Sequence, residues 1–186
     1  MTRLRPVLAI SAVFGLLAAL PAKTFAGVAR ALSVDDLVTQ SSLVTVGTPL
    51  SSQSQWELIG DQKRIVTRTR VHIDQIIRGQ ASSELTVSSL GGRVGNIGQI
   101  VHGEAALALG RPGLMFLRAD QSAQYRVTGR SQGYFPLRAD KQVGWRLAVS
   151  PGLSHLVVGK VRPAASELAG LSLREAMVRI GAAARR

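Results

Sequence analysis

The clearest pattern in the chain is the alternation over residues 65–73. Ile65, Thr67, Thr69, Val71 and Ile73 fall on one face, and Val66, Arg68, Arg70 and His72 on the other. Period two with β-branched residues on the less polar side predicts a half-buried antiparallel strand. Ile76-Ile77 prolongs it and Arg78-Gly79 closes it. Upstream, Leu43-Val44-Thr45-Val46-Gly47 predicts a strand that Pro49 ends or confines to an edge. Residues 51–55 read as a polar turn or loop, Trp56-Glu57-Leu58 as a strand fragment, and Gly60-Asp61 as a turn. Downstream, residues 85–90, 124–130, 132–137 and 142–149 predict further strands. Leu114-Met115-Phe116-Leu117 leaves no polar face and reads as a buried strand. Residues 91–103 hold five glycines, which predicts a long loop or bulged ribbon.

The period changes at both ends of this β-rich stretch. Ser33 with Asp36 three residues on forms a loose capping box opening a short helix, with Leu37 and Val38 facing a core. Residues 163–170 read as a linker. Ser172 and Glu175 then form a fuller capping box, and Leu173, Met177, Ile180 and Ala184 share one helical face. Arg174 and Arg179 are expected to look outward.

The first residues read as an address. Arg3 and Arg5 precede an uncharged stretch over 7–20, Pro21 breaks it, and two small-x-small sites follow, at Ala29-Arg30-Ala31 and Thr24-Phe25-Ala26. This is the layout of a cleaved secretory signal. As a helix its fourteen apolar residues rise only about 21 Å against a hydrocarbon core of about 30 Å. No other stretch reaches a membrane-spanning length, so no transmembrane span is expected after cleavage. The expected organisation is a signal peptide over 1–31, a β-barrel domain over 32–162, and a linker with a C-terminal amphipathic helix over 163–186. The expected location is periplasmic or extracellular.

Composition narrows the chemistry. The chain has 186 residues, no cysteine, and 23 basic against 11 acidic residues. Disulfides, thiolate catalysis and cysteine-based zinc sites are excluded. Apolar residues make up 46%, enough for a real core. Residues 43–162 carry 15 basic and 7 acidic side chains, so the excess charge is not confined to the leader. For an exported chain this favours an envelope protein, an anionic polymer or lipid head groups as partner; no nucleic acid is expected. The candidate binding residues are Arg68, Arg70 and Arg126 with Tyr125 on the strands, and Arg93 with Asn96 in the glycine-rich segment. That segment lacks the Gly-Lys-Ser/Thr of a phosphate loop and the Gly-x-Gly-x-x-Gly of a dinucleotide site.

Three histidines are present, and no HExxH or EF-hand pattern. His72-Ile73-Asp74 puts a histidine and a carboxylate on one strand face, His102-Gly103-Glu104 offers an acid–base pair, and Ser154-His155 points its two side chains oppositely if extended. Neither a metal nor a cofactor is expected.

The stretches Ser33-Val34-Asp35-Asp36-Leu37-Val38, Leu43-Val44-Thr45-Val46-Gly47, Ile65-Val66-Thr67-Arg68-Thr69-Arg70-Val71, Ile76-Ile77-Arg78-Gly79, Gly91-Gly92-Arg93-Val94-Gly95, Leu114-Met115-Phe116-Leu117 and Gln132-Gly133-Tyr134-Phe135 resemble a group of uncharacterised exported bacterial β-barrel proteins. They are also similar in pattern to the netrin-like type of five-stranded OB barrel, over residues 33 to about 150. The resemblance implies a small, closed or partly open OB-like barrel. That barrel type often anchors its N-terminus with cysteines, which this chain lacks. The expected function is a non-catalytic binding or structural domain recognising an envelope protein or an anionic surface ligand. The alternatives are a hydrolase with a non-standard His/carboxylate site, and a protease-inhibitor-like barrel presenting an exposed ridge around Leu32 to Asp36.

Overall fold

A computed structural model describes residues 29–120, 124–153, 156–157 and 161–186. Residues 1–28 of the expected signal peptide (1–31) lie outside the described residues, as do Ser154 and His155. In chain order the elements are β1 (Ala29–Arg30), α1 (Val34–Gln40), β2 (Leu43–Ile59), β3 (Gln62–Arg78), β4 (Glu84–Leu90), β5 (Gly92–Val94), β6 (Ile97–Gln99), β7 (Gly113–Ala119) and β8 (Tyr125–Val127). A 3-10 turn (Arg130–Gly133) follows, then β9 (Tyr134–Asp140), β10 (Gly144–Leu147), β11 (Leu156–Val157), α2 (Ala164–Leu168) and α3 (Leu173–Ala184).

Among the described residues seven strands form one sheet, in the order β10-β9-β7-β2-β3-β4-β8, with β8 also paired to β7. The hairpin of β2 and β3 dominates it. Its two 17-residue strands meet at a two-residue turn led by Gly60 at φ +58°. Residues 51–55, expected to loop out, instead pair with β3 throughout, from Ser51 opposite Arg70 to Gln55 opposite Val66. The strong two-residue period of β3 templates a partner whose own sequence is indifferent. Pro49 is tolerated because it lies two residues past the last β2–β7 pair, Gly47 with Gly113, and beside a register shift.

The expected OB-like barrel is not formed. The pairings β7–β2–β3–β4–β8–β7 close a five-membered ring, but the sheet is not curled into a barrel. The closing contact between β4 and β8 is one parallel pair, Val87 with Tyr125, and β8 has three residues. A closed barrel needs continuous staggered ladders between all neighbours. Beyond β7 the sheet continues through β9 and β10 to an open end. The molecule is a mixed β/α domain.

Its centre is buried on both faces, which explains the apolar run in β7. Leu114 and Phe116 point to one side, where Leu37, Phe135, Leu168 and Ile180 complete a core roofed by the three helices. Met115 and Leu117 point to the other, with Leu43, Val71, Leu85, Val87 and Tyr134. Such strands lose the polar alternation of a one-sided sheet. The segment expected as a linker forms α2: Ala164 and Leu168, four residues apart, are both buried. Arg179, expected to face water, ties the helices together, with Nη2 2.9 Å from Glu167 and 3.3 Å from Asp35.

Helix α1 begins as its sequence requires. Ser33 Oγ accepts from the Asp36 N–H at 3.0 Å, and Asp36 Oδ2 accepts from the Ser33 N–H at 2.9 Å. The Ser33 backbone and hydroxyl donors hold the Asp36 carboxyl below its usual value of 3.8. A lowered native pKa makes this contribution whole above pH 3.8 and removes it as pH falls through the lowered value. Ser33→Ala should therefore cost about 1 kcal/mol in urea unfolding at pH 7. The difference from the native chain should shrink below pH 3.8.

Candidate functional site

The strand residues singled out from the sequence do not form one basic face. On β3, Arg68 Nη1 lies 2.6 Å from Glu57 Oε1, and its Nε donates to Gln124 Oε1 at 3.1 Å. Arg70 Nε lies 3.5 Å from Glu84. Arg93 and Asn96 sit on the β5–β6 ribbon, where Arg93 Nε donates to the Gly95 carbonyl at 3.1 Å. Tyr125 is half-buried and packs against the Met115–Leu117 face. Of the set, Arg126 alone lines a cavity that further arginines share.

That cavity, about 100 Å³, lies where the ends of β4, β7 and β8 meet the loop that follows the glycine-rich ribbon. Its walls include Arg118, Arg126, Arg130, Glu104, Ser88 and Ser89. The β7–β8 register sets Arg118 directly opposite Arg126. Like charges in opposed positions on neighbouring strands repel. Arg126 Nε is buried without a hydrogen bond, 3.8 Å from Asp120 Oδ2. Arg130 Nε lies 3.4 Å from Glu104 Oε1. Among the described residues Arg130 alone, glycines aside, has a positive φ, +59°. A non-glycine there costs of order 1 kcal/mol, so the backbone carries strain at the residue whose side chain walls the cavity.

Glu104 is the anionic member, with its side chain 19% exposed. Burial raises its carboxyl above the usual 4.5, against the lowering effect of Arg130, the Leu90 backbone, Arg126 and Arg118. Counting Asp120, three guanidinium groups face two carboxylates, an excess of one positive charge.

A groove of about 620 Å³ shares Glu104, Ala105, Leu107, Ser89 and Leu90 with the cavity. Thr67 and Thr69 of β3 form part of one wall, and Gln99, Ile100 and Val101 part of another. The loop lies close over the hairpin because Gly92, at φ +126°, has no Cβ to collide with Thr67 and Ser54. Ile65 N–H donates to Gln99 Oε1 at 2.7 Å and anchors the ribbon.

No protein-family model and no curated protein sequence matches the chain. The site therefore rests on its own geometry. His102 lines the groove, but the Glu104 carboxylate is directed to Arg130 and not to the imidazole. His72 Nε2 and Asp74 Oδ1 stand 4.0 Å apart on the exposed side of β3, and Asp74 also accepts from Thr48 at 2.7 Å. Among the described residues no three His, Asp or Glu side chains gather as a metal site. The segment Leu32 to Asp36 is no projecting ridge: Leu32 packs against the helix-side core and Val34 is buried in α1.

Sequence reasoning passed over Arg118 as a site residue and gave Arg130 and Glu104 no common role. The available signal was weak: Arg118 is the first charge after Leu114–Leu117 and so emerges where that strand leaves the core.

Proposed function

We propose that this chain is an exported binding domain. Its ligand is a small molecule, or the end of an envelope component, with one anionic head and a mostly apolar body. The head enters the arginine cavity and the body lies along the adjoining groove. The observation that carries this reading is the pair Arg118 and Arg126, directly opposed on neighbouring strands and facing one cavity. An anion between them turns a repulsion into two charge-assisted hydrogen bonds. A cavity of about 100 Å³ suits one sulfate, phosphate or carboxylate group. The groove has the volume of an ordinary small-molecule site.

The test is titration of the protein with sulfate and with hexyl sulfate at constant ionic strength, followed residue by residue by NMR. Saturable shifts are expected at Arg118, Arg126, Arg130 and Glu104 with both ligands, and at 99–107 with hexyl sulfate only. Arg118→Ala and Arg126→Ala should each weaken binding about tenfold, the loss of one hydrogen bond to a charged group. Arg130→Gly should relax the backbone and still weaken binding. Uniform, non-saturating shifts across the many surface arginines would overturn the reading and leave the basic charge as a bulk property.

A further inference from the structure

The residues around the Ala29-Arg30-Ala31 site belong to the folded domain. Gln132, only 6% exposed, straddles Ala31. Its Oε1 accepts from the Leu32 N–H at 2.8 Å and its Nε2 donates to the Arg30 carbonyl at 3.0 Å. The Leu32 carbonyl accepts from the Ala164 N–H at 2.8 Å. Ala31 itself is 1% exposed. Upstream, Ala29 and Arg30 pair in parallel with Leu156 and Val157. A Cβ on Gly129 would come within 2.6 Å of Leu32 Cδ1, so the turn before the 3-10 segment is also shaped around this strand.

Cutting between Ala31 and Leu32 would strip this arrangement. The buried Gln132 Nε2 would lose its acceptor, Ala31 would leave an empty pocket, and a charged amine would replace the Leu32 amide. An unpaired buried donor costs more than a hydrogen bond contributes. A signal peptidase acts at a small-x-small site in the leader region. Thr24-Phe25-Ala26 supplies another such site, upstream of every residue the clamp uses. We infer that the leader is removed between Ala26 and Gly27, and that Ala29 to Leu32 are retained as a structural strap closed by Gln132. This rests on the proposed export of the chain.

The test is expression of the full chain, leader included, in a bacterium with a general secretory pathway. The exported product is then analysed by intact mass and N-terminal sequencing. A mature chain beginning at Gly27 is the expected result. A chain beginning at Leu32 would overturn this inference while leaving export standing. An uncleaved chain retained in the cytoplasm would overturn the export reading and this inference with it. Ala26→Leu separates the two sites further: it should abolish processing, and unchanged release of a chain beginning at Leu32 would sink the proposal.

Discussion

Phe116→Ala is expected to cost about 3–5 kcal/mol of stability, the range for removing a buried aromatic ring. Phe116 is fully buried and meets Phe135 edge-on, with ring centroids 6.3 Å apart and planes at 68°. Leu37, Leu168 and Ile180 pack into the same core, one from each helix. The next residue back gives the contrast. Met115 is equally buried, but on the opposite face of the sheet with Leu43, Val71 and Tyr134. Met115→Ala should cost about 2–5 kcal/mol as well. Urea unfolding at pH 7 reads both. Two large, comparable losses at adjacent strand positions require a sheet covered on both sides. A one-sided barrel wall would tolerate one of the two, and a loss under about 1 kcal/mol at either position would contradict the layered architecture.

That two-sided burial also explains what could be read from the sequence and what could not. The capping boxes at Ser33 and Ser172 were legible because a cap is set by residues three apart. The faces of β3 were legible from its two-residue period, and Ile65, Thr69 and Val71 are buried as expected, but Val66, on the face expected to be polar, is buried too. The pairing of residues 51–55 was not, because their polar sequence carries no period and β3 imposes the strand. Helix α2 was missed because five residues are too few to show a helical repeat. The barrel expectation failed at a place no local pattern reaches. Whether strands meeting edge to edge close a barrel depends on the length of β8 and its single ladder pair with β4. The site shows the same division. Arg126 was visible as a basic residue beside an aromatic one, but its relation to Arg118 is a register between strands, and that of Arg130 to Glu104 a contact across 26 positions.

Glu104→Gln should tighten sulfate binding by on the order of a hundredfold at neutral pH. The substitution removes the Coulomb repulsion between the Glu104 carboxylate and the doubly charged sulfate, and about 2.7 kcal/mol of repulsion is a hundredfold in affinity. Arg130, released from its carboxylate, becomes a further donor to the anion. The pH dependence supplies the check. Sulfate stays doubly ionised over the working range, so a change in its affinity reports on the protein. Burial raises the Glu104 carboxyl above 4.5, so protonation sets in on descending from neutral pH before that value is reached. Native affinity should therefore rise as pH falls, whereas the Gln variant should show a flat profile. The guanidinium groups of Arg118, Arg126 and Arg130 keep their charge throughout. His102 lines the adjoining groove and Asp120 lies beside Arg126, so His102→Asn and Asp120→Asn are placed in both backgrounds to leave Glu104 as the source of the slope. The stability of the free protein carries the opposite mark. With the native pKa raised, folding is favoured below 4.5 and this contribution is lost as pH rises through the raised value. The buried carboxylate thus opposes both folding and anion binding at neutral pH. In this structure its partner is the Arg130 guanidinium, 3.4 Å away. A Gln variant that binds sulfate no more tightly than the native chain would place the anion elsewhere.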